Sequence, residues 1–137
     1  MNSNSSNTQV EKKQYETPKI STVQISTDPI EKLKAEYPNL AEAFSTVELE
    51  QLMLFARKCL DYGIDNISGG QNLDDKKNVE FALNGIWYRM QDKMNRWKNA
   101  IMKGYNSVNC ESIQDTFQDL ANYAIISQLV FRGLWKK

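Results

Sequence analysis

The chain contains no histidine, and that absence alone removes much of the common enzyme chemistry. No Ser-His-Asp or Cys-His nucleophile can be assembled, and no imidazole is available to move protons near neutral pH. Cysteine is almost as scarce: Cys59 and Cys110 cannot supply the four Cys/His ligands of an ordinary structural zinc site. Long apolar runs are missing too, and the N-terminus is polar with no hydrophobic signal core. A soluble, cytoplasmic chain with reduced thiols is therefore expected, with no membrane association. Nor does one sign of charge dominate. The 17 basic residues balance 17 acidic ones, so a protein held on DNA or RNA by bulk electrostatics is not expected. Any reaction must use carboxylates, lysine, tyrosine or a metal held by oxygen ligands.

What is present reads as one all-α domain. Residues 1–27 are rich in Ser, Asn, Thr and Gln and have little apolar surface to offset the entropy of ordering, so a disordered tail is expected there. The folded domain spans 28–137. Thr27 or Asp28 caps a short helix with Pro29 in its first turn, and Tyr37-Pro38 ends it, because the residue before proline disfavours the helical region. Ser45 with Glu48 has the spacing of a capping box, which predicts a second helix over 46–62 that stops at Gly63. Residues 63–74 read as a loop around Gly69-Gly70.

A long helix follows over 75–103, ending at Gly104, with Leu83, Trp87, Met90, Met94, Trp97 and Ile101 on one apolar face. Gly85 inside it suggests a kink or a close approach by another group. The last helix is expected over 110–135, with Ile113, Phe117, Leu120 and Ala124 as its core stripe. The architecture expected is a helical bundle built on the hairpin of 75–103 and 110–135, with 46–62 packed across it.

Polar residues on this hairpin fall into two stripes. With about 100° of rotation per residue, Arg89, Asp92, Lys93 and Arg96 share one stripe and Glu111, Asp115, Asp119 and Asn122 share the other. The second stripe is continued by Ile126 and Val130, in a half-helix apolar nearly all round, so its acids should point into a partly enclosed space. Asp115 and Asp119 repel each other across one helical turn unless something positive lies between them. A structural ion network would satisfy them, as would a ligand or metal site; a solvated face is the remaining reading.

The ordered combination LDYG (60–63), GIWYRMQDKMNRW (85–97) and ESIQDTFQDLANYAII (111–126) resembles a phage and bacterial family, nucleotide-modification-associated domain 1. The resemblance covers roughly 50–127 and implies an all-helical, mostly viral protein linked to nucleotide or modified-base metabolism. A more distant likeness is to the all-α nucleoside triphosphate pyrophosphohydrolases, MazG and the dimeric dUTPases, where acidic helices hold Mg²⁺ against a triphosphate. Where those enzymes show Glu-Glu-x-x-Glu this chain has Arg-Met-Gln-Asp-Lys-Met, and in place of Glu-x-x-Asp it has Asp119-Leu-Ala-Asn122.

Taken with that likeness, Arg89, Lys93 and Arg96 would contact phosphate, since Arg offers a bidentate fork and Lys a point charge. Asn122 would join the nucleotide site and Tyr62 would lie near the base. Asp115 and Asp119 would be the catalytic carboxylates of a Mg²⁺-dependent pyrophosphohydrolase, with Asp92 and Glu111 completing the metal ligands. The alternatives are a non-catalytic protein that sequesters a nucleotide, and an oligomeric interaction module whose charged stripes are structural. A homodimer is expected, because the apolar segment 124–134 exceeds what one small bundle covers.

Overall fold

Pro38 starts a helix here; it does not merely end the one before. In the computed structural model, which describes residues 27–105 and 113–137, α1 runs Thr27–Glu36 and α2 runs Pro38–Tyr62. Proline at the first helical position gives up no hydrogen bond, and the NLAEAF segment after it contains nothing that breaks a helix. Ser45 is accordingly not an N-cap. Its hydroxyl donates to the Ala41 carbonyl at 3.0 Å, and Thr46 does the same to Glu42 at 3.1 Å, bonds available only inside a helix. Gly63 closes α2 as expected, with φ of 69° and its N–H on the Cys59 carbonyl at 3.0 Å.

The segment after Gly63 is not all loop: α3, Asp65–Ser68, makes one turn before left-handed Gly69. The long helix α4 runs Lys76–Lys103, and the side chain of Asp75 caps it through the Lys77 N–H at 2.9 Å. No kink-forming neighbour explains Gly85, since a Cβ there would meet nothing within 4 Å. The last helix, α5, spans Ile113–Phe131 among the described residues and stops four residues short of the expected 135. Gly133 is the cause. It takes φ of 69°, its N–H reaches the Val130 carbonyl at 3.1 Å, and the Leu134 N–H reaches Leu129 at 2.8 Å. Those two bonds form a Schellman motif, which satisfies carbonyls the helix end would leave orphaned. The expected tail, Cys110 and the 106–110 connection lie outside the described residues.

α4 packs chiefly against α5, α3 lies on α4, and α2 touches α5. The core is Ala82, Ile86, Ile126, Val130 and Trp135, with Phe55, Cys59 and Ile64 packed around it. On both hairpin helices the face that periodicity predicts is only partly covered: Leu83 and Met90 pack against the core and Trp97, Ile113 and Leu120 are half-buried, but the fully buried positions are others. On α4 the buried positions are Ala82, Ile86 and Ala100, with Lys93 nearly so, while Trp87 is 56% exposed and Met94 and Ile101 are also outside. Small Ala82 packs against Ile126 and Val130 of α5, whereas Trp87 meets Tyr88 edge-on at 4.9 Å. On α5 the buried stripe is Thr116, Asp119, Asn122, Ile126 and Val130, whereas Phe117 and Ala124 lie outside it. The acid-bearing stripe therefore does turn inward, as its continuation into Ile126 and Val130 suggested. α2 covers the hairpin only with its second half, and its Val47, Leu49, Leu52 and Leu60 are exposed. No helix of the described residues is long and apolar enough to cross a membrane.

Candidate functional site

Asp119 is the centre of the site. It faces inward from the middle of α5, so its carboxylate loses water and needs compensation. Two lysines supply it from two other elements: Lys58 of α2 donates to Oδ1, and Lys93 of α4 meets Oδ2 at 2.8 Å. Burial pushes the Asp119 carboxyl up, but the hydrogen bonds and charges of Lys58 and Lys93 outweigh it and hold the group below the usual carboxylate range. The acid is thus ionised, and it ties α2, α4 and α5 together at one point. Gln51 adds a second tie through the Gln118 carbonyl at 2.8 Å.

Beside this cluster lies a cavity of about 410 Å³, bounded by Lys58, Arg89, Asp119 and Asn122 together with the rings of Phe55, Tyr62, Tyr123 and Trp135. α2 contributes Phe55, Lys58, Cys59 and Tyr62 at helical spacing; the turn at Gly63 and α3 then bring Asn66 and Ile67 to its edge. Trp135 reaches the cavity because Gly133 reverses the chain. Its indole N–H donates to the Ile64 carbonyl at 2.9 Å and its ring meets Phe55 edge-on at 6.1 Å. Burial pushes the Cys59 thiol up, so the one sulfur in the wall stays protonated and inert at neutral pH.

Two groups on this wall are left wanting. Arg89 is held only by neutral acceptors, the Asn66 carbonyl at 3.2 Å and the Asn66 side-chain oxygen at 3.3 Å, so no carboxylate offsets its charge among the described residues. Asn122 is 4% exposed, yet neither its amide nitrogen nor its carbonyl oxygen has a hydrogen-bond partner among the described residues. An unsatisfied buried amide costs on the order of 1–3 kcal/mol and is rare without a reason.

Of the residues expected from sequence, Tyr62, Arg89, Asp119 and Asn122 do meet at the cavity, and Lys93 backs it through Asp119. Arg96 does not: its Nε pairs with Asp92 at 3.5 Å on the exposed side of α4. Asp115 is exposed and outside the cavity wall, and Glu111 lies outside the described residues. Among the described residues, then, Asp92, Asp115 and Asp119 are not gathered into one metal set. Both Asp119 oxygens meet ammonium groups, and among the described residues no group of three acidic or thiol side chains could hold a metal ion. Among the described residues the groups around Asp119 are ammonium ions, which do not suit Mg²⁺. Sequence reasoning missed Lys58. A signal existed, since Lys58 is a lone cation on the stripe of Gln51, Phe55, Cys59 and Tyr62, where a solvated lysine has no business.

Fold and site together describe a helical protein with a small, cation-bearing, aromatic-walled cavity, the kind of concave site that takes a small molecule. Residues 86–130 match the family described as nucleotide modification associated domain 1. The matched segment holds Arg89, Lys93, Asp119, Asn122 and Ile126, and leaves out the α2 residues of the cavity. No curated protein and no solved structure matches the chain.

Proposed function

We propose that the cavity binds a nucleotide or nucleotide derivative, and that binding, not hydrolysis, is its primary role. The observation that carries this is the orphaned Asn122 carboxamide, a donor and an acceptor side by side, buried in a cavity wall that also holds Arg89 and Lys58. A nucleobase edge offers the complementary pair; the aromatic rings offer faces to stack on, and stacking is worth about 1–3 kcal/mol per base. Phosphate would lie at Arg89 and Lys58, where charge-assisted hydrogen bonds are available, and Tyr62 at the rim would cover the base. The match to a family named for nucleotide modification supports the ligand class.

A thermal-shift screen of nucleoside mono-, di- and triphosphates and cyclic nucleotides, with and without Mg²⁺, tests this. A ligand at about 100 times its Kd should add about 2.7 kcal/mol of stability. Arg89→Ala and Asn122→Leu should each weaken that ligand at least about tenfold, the loss of one good polar contact. A response confined to one triphosphate, dependent on Mg²⁺ and accompanied by pyrophosphate release, would replace the binder by a hydrolase. No shift from any nucleotide would leave Lys58, Lys93 and Asp119 as a structural network.

A further inference from the structure

We propose that the ligand of this cavity carries a single phosphate group, as a nucleoside monophosphate in its dianionic form, which rests on the nucleotide reading of the cavity given above. The charges on the wall carry the argument. Among the described residues its charged side chains are Lys58, Arg89 and Asp119, with Lys93 meeting Asp119 from α4. Burial keeps the Cys59 thiol protonated, so it adds no negative charge.

The two lysines on Asp119 are not equivalent. Lys93 is 12% exposed at its side chain and meets Oδ2 at 2.8 Å, whereas Lys58 is 42% exposed and meets Oδ1 from the cavity wall. Burial keeps Lys93 with the acid, because a desolvated ion pair is costly to divide. Lys58 turns to a ligand at little cost, since solvent already reaches it and weakens its hold on the acid. Arg89 is available as it stands. Both of its bonds to Asn66 use one nitrogen, Nη2, and both acceptors are neutral. With Asp119 matched by Lys93, the wall offers an incoming anion two cations, Lys58 and Arg89.

One phosphomonoester matches that supply. It carries about 1.5 to 2 negative charges at pH 7 and presents oxygens to a guanidinium fork and an ammonium together. Each further phosphoryl group adds negative charge, and the described wall has no third cation of its own to meet it. Nor does the wall seat the Mg²⁺ that accompanies a polyphosphate. That ion takes carboxylate oxygens, and both oxygens of the one described carboxylate meet ammonium groups. Asn122 is equally unsuited to a second phosphate, which only accepts hydrogen bonds, whereas the buried Oδ1 needs a donor. A base edge or a sugar hydroxyl supplies one. Size agrees: at about 410 Å³ the cavity lies near the small end of the roughly 300–1,000 Å³ typical of small-molecule sites.

Isothermal titration calorimetry on the full chain tests this with the nucleoside, monophosphate, cyclic monophosphate and triphosphate of each common base, with and without Mg²⁺. For the base that binds, the monophosphate should be at least about tenfold tighter than the other three, and Mg²⁺ should not change that order. Lys58→Met should weaken the monophosphate at least about tenfold and leave the nucleoside unchanged, and Lys58→Arg should recover part of the loss. Loss of both ligands together would assign Lys58 to bracing α2 against α5 and overturn the proposal. A triphosphate or cyclic monophosphate as tight as the monophosphate overturns it too, while leaving the cavity a nucleotide site. A nucleoside of equal affinity overturns it by removing phosphate from recognition. Binding by none of the four ligands of any base would remove the nucleotide reading itself, and this proposal with it.

Discussion

At Asp119 desolvation and two ammonium groups pull in opposite directions, and the ammonium groups prevail. The consequence is a pH dependence of definite sign. A carboxyl depressed in the folded state contributes stability above its unfolded pKa, and that contribution is lost as pH falls through the folded value. Thermal stability should therefore hold from neutrality to about pH 4 and then drop as the unfolded-state carboxyl range is passed. In Asp119→Asn the acid limb of the Tm profile should flatten; an unchanged limb would mean other carboxylates dominate. Asp119→Ala is harsher, because it strands Lys93, 12% exposed at its side chain, without its acid. A loss of about 3 kcal/mol in urea unfolding is expected for a broken buried pair. Asn122 predicts the opposite. Replacing an amide with no partner by an apolar side chain of similar size removes a desolvation cost, so Asn122→Leu should gain about 1 kcal/mol while losing ligand. That pairing of greater stability with lost binding marks a residue kept for function.

At the scale of elements, the boundaries show which signals carry weight. Pro38, Gly63, Asp75 and Gly104 all mark helix ends and are readable from sequence, because each acts through its own backbone or cap geometry. Ser45 with Glu48 has equally good spacing and marks nothing, since the helix had already begun at Pro38 and the hydroxyl turned back onto Ala41. A true N-cap lost to alanine costs about 1 kcal/mol, whereas Ser45→Ala should stay within about 0.5 kcal/mol of the parent by chemical denaturation. Gly133 lies inside an apolar run that reads as continuous helix, yet it ends α5 and aims Trp135 at the core. Its φ of 69° penalises any side chain. Gly133→Ala should thus cost about 1–2 kcal/mol and loosen the Trp135 environment, seen as a red-shifted emission.

For the whole molecule, the bundle has its core at one end of α2 and an apolar rod at the other. Protection should therefore be uneven along α2, greatest where it meets the core and least in the exposed half. Amide hydrogen exchange should be slower around Phe55 and Cys59 than around Leu40 and Val47, and equal protection along α2 would contradict this.

Local chemistry is what the sequence settles alone. The absence of histidine, the helical periodicity, the glycine and proline stops and the polar stripe running into Ile126 and Val130 follow from residue identity, because their effects act within a few residues. Which face of α4 is buried, and how α5 can bury an acid and an amide, was decided only in three dimensions. The continuation of their stripe into Ile126 and Val130 points Asp119 and Asn122 inward, yet burying a charge or an amide is costly by itself. The cost is met by residues far away in sequence, Lys58 and Lys93 closing on Asp119 from two other helices. No window along the chain contains that compensation, so only the packing of α2, α4 and α5 could reveal it.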